Sequence, residues 1–79
     1  ANNIERASSP AAALTGPVAR GDAGGVLRQA RTARALSPDV QELYRVHVMH
    51  NIGLARDAGR IDGGMADRLA AALSESARE

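Results

Sequence analysis

The stretch SPDVQELYRVHVMHNIGLARDAG, residues 37–59, carries the plainest start and stop signals in the chain. Ser37 is a side-chain cap. Pro38 suits the first helical position, where its fixed φ is already helical and its missing N–H has no partner to lose. Asp39 then sets negative charge at the positive end of the helix dipole. Gly59 supplies the left-handed residue that ends a helix. Between these marks the spacing predicts one long helix over about 38–58. Val40, Leu43, Tyr44, His47, Val48, Asn51 and Ala55 fall on one stripe, with Val46, Met49 and Gly53 on the opposite side. The middle of this helix is therefore apolar nearly all round and is expected to be buried on more than one face. Gly53, which costs about 1 kcal/mol relative to alanine in a helix interior, predicts a close crossing with another backbone.

Outward from this helix the same logic repeats. Upstream, Asp22 caps a predicted helix over about 23–36, with Val26, Leu27, Ala30 and Ala33 on one face and Arg28, Arg31 and Arg34 on its outside or flank. Downstream, Asp62 caps a predicted helix over about 63–76. Met65, Leu69, Ala72 and Leu73 face inward there, while Asp67, Arg68, Ala71 and Glu75 face water. Residues 11–22 contain Gly16, Pro17 and Gly21 and read as a loop, or as a short helix with a bend. Asn2 to Arg6 read as the end of an upstream helix, stopped at Ser8-Ser9-Pro10. No segment alternates with period two long enough to make a strand. The fold class is all-α, a small bundle of about three helices plus the end of an upstream one, forming a single domain over 1–79.

Such a domain has little to hold it together. Of 79 residues 44% are hydrophobic, but 17 of those 35 are alanine, and Tyr44 is the only aromatic. Three helices with largely alanine faces offset backbone entropy of about 1–2 kcal/mol per residue only narrowly. The missing surface is expected from an upstream domain, a second subunit or both, and a chain that opens at Ala1 rather than methionine reads as a piece of something larger. The absence of cysteine excludes disulfides, cysteine-ligated zinc and a thiol nucleophile. A net charge of +1 gives no strong electrostatic attraction to nucleic acid or anionic membrane. With no bilayer-length apolar run and no signal-peptide pattern, a cytoplasmic location is expected.

The chemistry concentrates in LTGPVARGD, residues 14–22. Thr15 offers a hydroxyl, Gly16 a hinge, Pro17 a fixed turn and Arg20 a guanidinium. Gly21 and Gly24-Gly25 leave the approach to a helix N-terminus open. The segment could present backbone N–H groups and Arg20 to a phosphate or carboxylate. On local chemistry the favoured reading is the plainer one, a structural turn in which Asp22 caps the helix and Arg20 pairs with a neighbour. The tripeptide Arg20-Gly21-Asp22 is a chance match to an adhesion motif, and Gly21-x-x-Gly24-Gly25 is not the dinucleotide fingerprint. His47 and His50, three apart, lack a third ligand one turn away, so no metal site is expected. Arg28, Arg31 and Arg34 read as a solvated helix face rather than a nucleic-acid surface.

Residues 12–24, AALTGPVARGDAG, resemble a signature of two-domain bacterial proteins with an N-terminal Rossmann-like NAD(P)-binding domain and a C-terminal helical domain of unknown function. That helical domain is similar to the C-terminal domains of pyrroline-5-carboxylate reductase and the 6-phosphogluconate-dehydrogenase-like superfamily. The resemblance extends over about residues 11–75, and its specificity rests on the nine-residue loop. It implies a dimerisation and substrate-side domain of an NAD(P)-dependent oxidoreductase, closing over the nicotinamide end of a cofactor held by an upstream domain. It implies no cofactor held by this segment alone and no catalysis by it alone. It also implies a homodimer, with Thr15, Gly16, Pro17, Arg20, Gly21 and Asp22 facing the substrate cleft. A purely structural helical association module, without a ligand site, is the competing expectation.

Overall fold

A computed structural model describes residues 16–79. Four helices follow in order: α1 (Gly16–Ala19), α2 (Ala23–Leu36), α3 (Pro38–Asp57) and α4 (Gly63–Arg78). There is no strand among the described residues, and the all-α class holds. Thr15, the helix end at Asn2 to Arg6 and the Ser8-Ser9-Pro10 break lie outside them.

Each long helix begins where its cap predicts. Asp22 Oδ1 accepts from the Gly25 N–H at 2.9 Å, Ser37 Oγ from the Val40 N–H at 3.1 Å, and Asp62 Oδ1 from the Met65 N–H at 2.8 Å. Each satisfies one of the amides that a helix start leaves unpaired. Gly59, at φ +74°, closes α3 in the left-handed region. The ambiguous segment before Asp22 is the short, bent helix α1, entered at Gly16 (φ +85°) and left at Gly21 (φ +67°). Helix α4 runs two residues beyond the expected Ser76. Its end is held from α2, where the Arg31 guanidinium forks onto the Glu79 carboxylate and Arg34 Nη1 donates to the Ser76 carbonyl at 3.1 Å.

α2 packs most extensively on α4 and next on α3, and α1 rests against α2 and α3. The core joins Val18 of α1, Val26 and Ala30 of α2, Val48, Ile52 and Ala55 of α3, Ile61 of the α3–α4 turn, and Leu69 and Leu73 of α4. Val26, Ala55 and Leu69 are fully buried. Each of the larger two contributes about 1.5–3 kcal/mol by leaving water. Five of the twelve buried apolar residues among those described are alanine, so the core is thin.

Two expectations for α3 are corrected. Its buried line is Val48, Ile52 and Ala55 with Tyr44 partly covered, whereas Leu43 and His47, placed on the inward stripe from the sequence, are exposed. At 100° per residue Ile52 and Ala55 flank Val48 on the covered arc, and Leu43 lies well round the helix from it. Among the described residues only one face of α3 is buried. Gly53 is exposed, and a Cβ built on it would meet nothing within 4 Å, so no backbone crosses there among the described residues. It shares the uncovered side with Val46 and Met49, which are 52% and 42% exposed.

Candidate functional site

The bent α1 segment separates two clefts. Gly16 and Pro17 line the first, of about 300 Å³, with Val18, Gln29 of α2, and Tyr44, His47, Val48 and Asn51 of α3. Arg20 and Gly21 line the second, of about 210 Å³, with Arg60, Ile61 and Asp62 of the α3–α4 turn and Met65 and Arg68 of α4. The loop residues singled out in the sequence are thus divided between two sides of one turn. Asp22 lines neither. It is engaged as the α2 cap, with Arg20 Nη2 and Arg28 Nη2 each 3.9 Å from its Oδ2.

The turn is tightly built. The Asp22 N–H donates to the Pro17 carbonyl at 2.8 Å, and the Gly21 N–H to Val18 at 3.0 Å. A Cβ on Gly21 would lie 2.9 Å from Met65 Cε, so the glycine admits both the positive φ and the close approach of α4. A Cβ on Gly25 would lie 2.5 Å from Asp22 Oδ2 and 3.3 Å from Pro17 Cβ. The missing side chain at Gly25 leaves room for a carboxylate of the chain itself.

In the first cleft the polar groups are fixed by neighbours. The Tyr44 hydroxyl donates to Gln29 Oε1 at 2.8 Å and lies 3.4 Å from the Val26 carbonyl. Burial raises the Tyr44 phenol above its ordinary range, because desolvation penalises the phenolate. At neutral pH it is therefore a donor and not a base. Asn51 Nδ2 lies 3.1 Å from His47 Nε2, one helical turn away. With the amide donating, a neutral His47 ring carries its proton on Nδ1. The cleft offers a ring nitrogen, a carboxamide and a phenol to a polar group, and no carboxylate lines it.

His47 and His50 do not join a metal set, and no group of three or more histidines and carboxylates converges among the described residues. The described residues contain no strand–glycine loop–helix unit of the dinucleotide-binding kind. No described helix is long and apolar enough to cross a membrane. Sequence reasoning missed Gln29, Tyr44 and Asn51 as partners of the turn, and Arg60 and Arg68 as partners of Arg20. The i, i+4 spacing of His47 and Asn51 was a local signal for the first cleft. Nothing local brings residues 20, 60 and 68 together.

A family model described as a domain of unknown function, DUF2520, matches residues 1–50. The chain belongs to this family. No curated protein and no solved structure matches it. The DUF2520 match takes in the α1 turn, all of α2 and α3 as far as His50, and therefore the first cleft except for Asn51. Arg60 and Arg68 lie beyond it.

Proposed function

We propose that this chain is the helical, substrate-side domain of an NAD(P)-dependent oxidoreductase, whose dinucleotide-binding domain is a separate unit. In this reading Gly16 and Pro17 shape a wall on which Tyr44, His47 and Asn51 orient a polar group of the substrate or of the nicotinamide. One observation carries it: the turn on which the resemblance rests also lines the cleft that gathers those three side chains. The role given to this chain is to bind and to orient.

The test is titration of NADH and NADPH into the complete gene product, followed by backbone amide shifts. Binding is expected, with shifts at Gly16, Tyr44, His47 and Asn51. If neither dinucleotide binds, the oxidoreductase assignment is lost. If one binds without moving those amides, the first cleft is removed from the site.

A second reading is favoured by a different feature, the apolar surface left open on α2 and α3. Leu36 and Leu43 are each 71% exposed. In that reading the domain is an association module, and the first cleft is a consequence of helix packing.

A further inference from the structure

The second cleft gathers like charge from distant parts of the chain. Arg20 comes from the α1–α2 turn, Arg60 from the α3–α4 turn and Arg68 from the second turn of α4. The whole chain carries a net charge of only +1. Three of its ten arginines nevertheless line one cleft of about 210 Å³. Its single carboxylate, Asp62, is already engaged by the Met65 N–H. Among the described residues neither Arg60 nor Arg68 has a carboxylate within ion-pair distance, and Arg20 reaches Asp22 only at 3.9 Å. Guanidinium groups brought together without counter-charge repel one another, and an anion between them reverses the sign of that interaction.

We propose that this cleft binds a phosphoryl group. Three guanidinium groups set against Asp62 and the more distant Asp22 carboxylate leave the cleft with net positive charge, which an anion offsets. Guanidinium is the side chain whose paired donors match phosphate oxygens. Gly21 keeps the floor of the cleft free of a side chain between Arg20 and Met65. The proposal does not rest on the oxidoreductase reading, because its residues lie on the opposite side of the α1 turn from Tyr44, His47 and Asn51.

The experiment titrates inorganic phosphate into the full chain at constant ionic strength, set with chloride, following amide shifts. Glycerol phosphate is titrated in parallel. Saturable shifts are expected at Gly21, Arg60 and Asp62. Affinity should fall at least about tenfold in Arg60→Gln and in Arg68→Gln, whose exposed side chains leave folding intact by circular dichroism. Tighter binding of glycerol phosphate would identify an esterified ligand, and equal binding the free ion; both support the site. Shifts that chloride reproduces, or phosphate affinity unchanged in both variants, would overturn it. Neither result bears on dinucleotide binding at the first cleft.

Discussion

Gly25 gives its N–H to Asp22 at 2.9 Å and has no Cβ where one would stand 2.5 Å from the other oxygen of the same carboxylate. The α2 cap and the bare first turn of α2 are therefore one device. The glycine does not leave space for a ligand at that point, since Asp22 fills it. This favours the structural account of the helix entry, and it moves any ligand-binding role to the two sides of the turn.

The same substitution should consequently have opposite signs at two glycines. Gly25→Ala gains helix propensity, but its Cβ displaces Asp22 and loses a cap worth about 1 kcal/mol, with Pro17 also pressed. The propensity gain offsets most of the lost cap, so with Pro17 pressed a small net loss, below about 1 kcal/mol, is expected. Gly53→Ala meets open space in a helix interior and should stabilise by about 0.5–1 kcal/mol. Thermal unfolding of the two variants checks this, and a stabilised Gly25→Ala would refute the coupling between cap and glycine.

Tyr44 predicts the alkaline limb of stability. Its folded phenol titrates above the unfolded value near 10, because burial favours the neutral form. The contribution is fully present below that value and is lost as pH rises through the higher folded one. Tyr44→Phe should flatten this limb. At neutral pH it should cost about 1 kcal/mol through the lost hydrogen bond to Gln29. Chemical denaturation at neutral and strongly alkaline pH measures both effects.

These contrasts mark how far the sequence could be read. Asp22, Ser37, Asp62 and Gly59 act within one turn of their own position, so the helix starts and the stop after α3 were legible. The inward faces of α2 and α4 were legible too, because each carries one apolar stripe. On α3 the apolar residues surround the helix, and composition alone gave no choice of side. Ile52 was missed, and Gly53 was assigned a neighbour that it does not have among the described residues. The clefts were hidden for a related reason. The residues at 16–17 meet those at 44–51, and Arg20 meets Arg60 and Arg68, only through the packing of α1 between longer elements.

Ser76 offers a stability test independent of either cleft. It is 1% exposed, and its Oγ has no hydrogen-bond partner among the described residues, although its carbonyl receives Arg34. A buried polar group left unpaired costs about 1–3 kcal/mol, and alanine is the stronger helix former. Ser76→Ala should raise stability by about 1 kcal/mol, less what the small void takes back. A loss of more than that amount on denaturant unfolding would show that the hydroxyl is satisfied in solution.

The uncovered side of α3 tests the homodimer that the substrate-side reading and the association reading both allow. Leu43, Val46 and Met49 recur every three residues along it, and with Leu36 they form an exposed apolar line on a thin core. If this line is an interface between two copies, sedimentation should show concentration-dependent association of the wild-type chain. Leu43→Glu should then raise the dissociation constant at least about tenfold, since an unpaired carboxylate is costly to bury. Helicity should be unchanged, because Leu43 is exposed within the single chain. A wild-type chain that stays monomeric at every concentration measured would remove the two-copy interface, and the apolar line would then await a different surface. Dinucleotide binding with shifts at Tyr44 and His47 would in that case favour the oxidoreductase reading, with the separate domain as the candidate cover.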